Sequence, residues 1–202
     1  MKKSISFLLG LWAALSLAGC STNNKAAQEE VNVIVAADLH FDLLPETDQY
    51  FHVVTMNRLP GQFNFPGEQK AIDKIDGVII AGDIFDKARP EILDLYRQRY
   101  ETGEGERRIH YPVYPGLGNH DVDPAVSDKG ADNLKGRALT FNYLDSILND
   151  KLAKGEILNL HPSSRSYSWN IGQTHFIQGQ RFAGDTAYCE SNLDWLADDL
   201  RQ

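Results

Sequence analysis

Three short stretches of the chain hold side chains that could do chemistry together. They are Asp38 and His40 in DLH, Asp83 and Asp86 in GDIFD at 82–86, and Asn119 and His120 in GNHD at 118–121. Carboxylate and amide oxygens beside imidazole nitrogens suit divalent or trivalent first-row metal ions. A structural zinc site would more often draw on cysteine, and neither Cys20 nor Cys189 lies near these stretches. In the third stretch an amide oxygen could ligate a metal while the neighbouring imidazole stays free for proton transfer. Each stretch has a plain alternative when taken singly: a turn-capping aspartate followed by a solvated histidine, or an ordinary glycine-asparagine turn. Their recurrence, each after an apolar run, points to one shared site.

Those apolar runs must do the positioning. Residues 31–37 (VNVIVAA) carry the signature of a buried strand and end on Asp38. Residues 78–81 form a second such run, which stops at Gly82 and Asp83, the glycine permitting close backbone approach. A third extended run, 109–113, is followed by Pro115, Gly116 and Gly118, which force a tight turn. Ligands gather at the carboxyl ends of strands in open α/β sheets, so all three stretches emerge at the edge where chemistry is favoured.

The connecting segments read as follows. Residues 41–66 are a long connection holding Phe41, Tyr50, Phe51, Phe63 and Phe65; these aromatics read as packing on the loop itself in preference to walling the site. Residues 67–75 read as a short helix through Ile72 and Ile75, and 90–101 as a helix with Pro90 in its first turn. The charge run 104–108 reads as a solvated turn, 137–148 as a helix, and 166–180 as a hairpin turning near 170–173. Ser191 with Asp194 predicts a capping box opening a final helix, with Leu193, Leu196 and Leu200 on one stripe. His52, His110, His161 and His175 receive no role. Cys189 reads as an inert thiol.

A chain of 202 residues with 42% apolar and 24% charged residues suits one globular α/β domain. The net charge is −8, and because residues 1–19 hold two lysines and no acid, the remainder carries −10. Nonspecific binding to nucleic acid or anionic lipid is disfavoured by that balance. At the N-terminus, Lys2 and Lys3 precede an apolar run at 5–18, too short to span a bilayer, where about 20 residues are needed. It reads as an export signal over residues 1–19. Leu17, Ala18, Gly19 and Cys20 resemble the lipobox of bacterial lipoproteins. That resemblance implies diacylation of Cys20, which suffices for stable membrane anchoring, with 20–30 as a polar tether. Ser21 resembles the residue that follows the cysteine in lipoproteins sorted to an outer membrane, in cells that have one.

Taken in order, DLH, GDIFD and GNHD resemble the DxH, GDxxD and GNH-Asp/Glu blocks of the calcineurin-like metallophosphoesterase superfamily. The resemblance implies a four-layer α/β/β/α sandwich over residues 31–202 and a site for two divalent or trivalent ions: manganese, iron or zinc. It further implies that Asp38 and His40 bind the first ion, that Asp83 bridges both, and that Asn119 binds the second. A bridging hydroxide would attack a phosphoester substrate, His120 would protonate the leaving oxygen, and Asp86 would orient that imidazole. The superfamily pattern continues with a Gly-His pair and a GHxH block, and this sequence contains neither. The expectation is therefore the N-terminal portion of a longer hydrolase, inactive or weakly active alone. The alternative is an exported lipoprotein that keeps the scaffold to bind a ligand or partner without catalysis.

Overall fold

The computed structural model describes residues 30–43, 45–122, 131–180 and 191–201. Three parallel strands, β1 (Val33–Ala36), β2 (Gly77–Ile80) and β3 (Val113–Pro115), pair in that order, with Val35 opposite Ile79 and Ile79 opposite Tyr114. Alternation along the strands gives the sheet two faces. Val78, Ile80 and Val113 point one way. There they meet Val53 of α1 (Glu46–Asn57) and Leu93, Tyr96 and Tyr100 of α2 (Pro90–Tyr100), the helices that cover this face. Ile79 and Tyr114 point the other way, toward a second sheet.

That second sheet is antiparallel, built from β4 (Asn159–His161), β5 (Ser166–Ile171) and β6 (Thr174–Gln178). Tyr167 and Trp169 of β5 face inward. Trp169 stacks on Tyr114 with centroids 4.0 Å apart and planes at 7°, and on Phe176 at 5.3 Å. Ring pairs of this kind contribute roughly 0.5–1.5 kcal/mol each beyond the area they bury. The Tyr167 hydroxyl donates to the Pro115 carbonyl at 3.0 Å, tying the two sheets beside the third candidate stretch. The alternate residues of β5, Ser166 and Ser168, face outward to α5 (Leu193–Asp199), which completes the α/β/β/α order of layers.

One long helix binds the layers laterally. After α3 (Asn119–Val122), α4 (Ala131–Lys154) sets Leu139 and Tyr143 against the first core cluster and Ile147 and Leu148 against the inter-sheet cluster. Its Leu144 packs on Leu117 and Val122, which flank the GNHD turn. Among the described residues no helix is long and apolar enough to cross a membrane.

Several local expectations change. β1 is an edge strand whose Val35 is 66% exposed, because the second sheet reaches over β3 and β2 and leaves β1 uncovered on that face. The connection at 41–66 contains α1, which the sequence concealed: its apolar residues do not follow one stripe, and Phe51 stands exposed while Val53 is buried. The aromatics do pack locally, Phe63 against Phe65 at 5.3 Å, while Phe41 enters the core. Residues 67–75 are not helical. The Ile72 N–H donates to Phe63 and its carbonyl accepts from Gly61, so its backbone is tied to the preceding loop.

The third strand starts at Val113, later than 109–113 suggested, since Ile109 gives its N–H to Arg99 at the end of α2. The final helix has Asn192, not Ser191, as its capping residue, with no side-chain cap bond. Its buried side is polar, Asn192 and Asp199 facing the serines of β5, and Leu193 and Leu200 face solvent. The hairpin and α2 fall where the sequence puts them.

Candidate metal centre

Beyond their last ladder pairs, the first two candidate stretches continue to bond to each other. The N–H groups of Asp38, His40 and Phe41 donate to the carbonyls of Gly82, Asp83 and Ile84 at 3.0, 3.0 and 2.9 Å. To keep this pairing while turning off the strands, the chain adopts left-handed backbone at Asp38 (φ 53°), His40 (φ 39°) and Asp83 (φ 52°). Arg165 is the one other non-glycine residue in that region among those described. Such conformations cost on the order of 1–3 kcal/mol each and persist where the surroundings impose them, typically at functional sites.

The third stretch is pressed against the second. Gly82 has φ 124°, and a Cβ there would lie 2.6 Å from the Gly118 nitrogen, while a Cβ on Gly118 would overlap the Asp83 carboxylate. The two glycines thus let two backbones meet where larger residues could not. In that contact the Asp83 carboxylate accepts the His120 N–H at 2.9 Å, at the first turn of α3, which Asn119 opens.

A further carboxylate locks the arrangement. Asp121, 2% exposed, accepts N–H bonds from Gly118 at 2.9 Å and from Ile84 and Phe85 at 3.2 Å. Desolvation pushes its carboxyl up to about 6, against the opposing pull of those three donors. On the other side of the turn, Gln180 accepts the Leu117 N–H at 2.7 Å and donates to the Arg165 carbonyl.

The functional side chains then converge. One donor atom from each of Asp38, His40 and Asp83 lies within 4.8 Å of the others, and the same holds for His40, Asp86 and His120. The rings of His40 and His120 meet edge to face at 4.6 Å. Asp86 Oδ1 stands 2.9 Å from His120 Nδ1 but off the ring N–H direction, an ion-pair contact lacking an aligned hydrogen bond. Nδ1 of His40 and Nδ1 of His120 are shielded from solvent without an aligned partner among the described residues. A polar atom in that state costs roughly 1–3 kcal/mol. Strained backbone, crowded carboxylates and the orphaned Nδ1 of His40 make a cluster that is unfavourable by itself and that cations would relieve. Oxygen and imidazole donors at this spacing fit first-row divalent or trivalent ions.

The family model for calcineurin-like phosphoesterases matches residues 31–201. The chain belongs to the calcineurin-like phosphoesterase family. No curated protein and no solved structure matches it.

Within this calcineurin-like domain the structure brings together Asp38, His40, Asp83, Asp86 and His120, and puts Asn119 one residue before the His120 amide that Asp83 holds. A cavity of about 390 Å³ lies elsewhere, lined by Tyr100, Glu101, Tyr143 and Lys151, and none of these six residues borders it. Cys20 lies outside the described residues, as does Cys189. His175 is held by Asn170 at 2.7 Å and Asp199 at 3.0 Å, a structural pairing, and His161 by Ser164 at 2.8 Å. Sequence reasoning gave no role to Asp121 or Gln180. Asp121 had a signal, its place in GNHD; Gln180 had none, since its partner Leu117 is 63 residues away.

Proposed function

We propose that this chain is a metal-dependent phosphoester hydrolase whose metal ligands are Asp38, His40, Asp83 and Asn119. One observation carries the reading: donor atoms of Asp38, His40 and Asp83, from two strand ends, lie within 4.8 Å of one another on left-handed backbone. The set suits two ions such as manganese, iron or zinc. When bound, they supply Lewis acidity that draws charge from the phosphoryl oxygens.

Asp83 has one side toward Asp38 and His40 and the other toward the third stretch, so it is the carboxylate suited to serve both ions. In hydrolysis a water oxygen bonds to phosphorus as the bond to the leaving oxygen breaks, and that leaving oxygen departs with a proton. His120, carrying a proton on both ring nitrogens, supplies it from the one opposite Nδ1 and is left neutral. Asp86, 2.9 Å from Nδ1, favours a proton there and so fixes which nitrogen faces the substrate. Asp38, His40, Asp83 and Asn119 would be few side chains for two ions, and the rest of the ligands would be water and substrate. Binding is then weak and readily reversed by chelator.

The test uses manganese, a nitrophenyl phosphate and an alkyl phosphate. Turnover is expected only with metal, and Asp83→Asn abolishes metal binding in calorimetry. His120→Ala slows the alkyl ester by about 10²–10⁴-fold and the nitrophenyl ester far less, because the better leaving group needs no proton. Metal binding undiminished in Asp83→Asn, or no metal binding by the unaltered chain, overturns the reading. The lipobox-like residues 17–20 support a location outside the cytoplasm, tethered to the cell envelope through Cys20.

A further inference from the structure

No strand or helix spans residues 81–89, so the backbone that carries Asp83 and Asp86 is held by bonds from elsewhere. Four consecutive amides in it, 84 to 87, are captured by two carboxylates. Asp121 takes Ile84 and Phe85, both at 3.2 Å, and Asp42 takes Asp86 at 2.7 Å on Oδ1 and Lys87 at 2.9 Å on Oδ2. The Asp42 bonds are the shorter pair, in the range of charge-assisted hydrogen bonds, and they close a separation of 44–45 residues. Asp42 is itself fixed, since its neighbour Phe41 is fully buried and donates its N–H to the Ile84 carbonyl at 2.9 Å.

We propose that Asp42 is a positioning residue: by gripping the amides of Asp86 and Lys87 it holds the Asp86 carboxylate against Nδ1 of His120. The inference rests on the Asp86–His120 pairing of the proposed function. The division of labour follows from which amides each carboxylate takes. Asp121 fixes the part of the loop next to Asp83, and Asp42 fixes the part that aims Asp86. Without Asp42 the loop keeps its first anchor and loses its second, so Asp86 swings while Asp83 stays. Rotation about the Asp86 backbone by a few tens of degrees carries its carboxylate out of reach of the ring. The imidazole then has no carboxylate to select which nitrogen bears the proton.

The experiment compares the full chain with Asp42→Ala, Asp42→Asn and Asp86→Ala, all metal-free. Two quantities are read by NMR: exchange of the amides of residues 84–87, and the fraction of His120 with its proton on Nδ1, from ring nitrogen shifts at one fixed pH. Asp42→Ala is expected to speed exchange at 86 and 87 by about tenfold or more and to leave 84 and 85 within about twofold. The Nδ1–H fraction falls toward that of Asp86→Ala. Asp42→Asn, of equal size and safe for folding, shifts both readings in the same direction by less. Exchange rising equally at all four amides marks a merely structural residue and overturns the proposal. So does an Nδ1–H fraction unchanged in Asp42→Ala when Asp86→Ala lowers it. If Asp86→Ala itself leaves that fraction unchanged, the Asp86–His120 pairing fails, and the proposal with it, even though the amides still respond to Asp42.

Discussion

Replacing Asp38 by glycine should stabilise the metal-free protein while destroying its affinity for metal. Asp38 sits at φ 53° with its side chain 71% exposed, and among the described residues its one ionic contact is His40 at a loose 3.9 Å. Removing Cβ from left-handed backbone relieves roughly 1–2 kcal/mol. Glycine's freer unfolded chain takes back about 0.4–1 kcal/mol. Loss of the like charge near Asp83, screened by solvent, adds well under about 1 kcal/mol. The net gain is about 1 kcal/mol, or roughly 2–4 °C in melting temperature for a chain of this size. The assay is urea unfolding followed with chelator and again with manganese. Metal at 100 times its dissociation constant stabilises the unaltered protein by about 2.7 kcal/mol and should leave the variant unmoved, so the order of stability inverts. A variant less stable than the parent in chelator, or one that gains equally from metal, refutes the claim that strain at residue 38 is retained for cation binding.

Gly118→Ala drives a methyl into the Asp83 carboxylate; it should cost about 1–3 kcal/mol in unfolding free energy and abolish metal binding in calorimetry. Burial alone would raise the Asp199 carboxyl, but hydrogen bonds from Asn159, His175 and Ser168, with the charge of His175, outweigh it and leave it below its usual 3.8. A depressed carboxyl contributes stability that is complete above the unfolded value and lost below it. The advantage of the parent over Asp199→Asn should therefore shrink as pH falls under 3.8, read by denaturant titration at successive pH values. Cys20→Ser should release the protein from membranes and end its labelling by radioactive palmitate in cells; unchanged membrane recovery would contradict anchoring.

Much of the candidate site was legible because parallel strands deliver their carboxyl ends to one edge, so Asp38 and Asp83 needed only the strand pattern to be placed together. What lay hidden is the bracing. Asp42 and Gln180 act on backbone amides that no side-chain pattern records, across 44 to 63 residues of chain, and Asp121, visible in GNHD, does so with no sign of which amides it takes. Helix α1 escaped because its apolar residues form no stripe, and the run 67–75 misled because Ile72 and Ile75 are buried from an irregular backbone. The leucines of the last helix pointed the wrong way for a related reason. Its partner surface is the serine side of β5, so the residues it buries are Asn192 and Asp199.

The Tyr114–Trp169–Phe176 stack makes the seam between the sheets optically readable. Rings 4.0 Å apart and nearly parallel couple their transitions, so near-ultraviolet circular dichroism should carry a strong signed band from this trio. Of the three tryptophans, Trp12 lies in the leader-like segment and Trp195 near His161 on the outer layer, which leaves Trp169 as the fluorophore at the join. Emission from that indole follows parting of the two layers without any label, and can be timed separately from loss of the helices during unfolding.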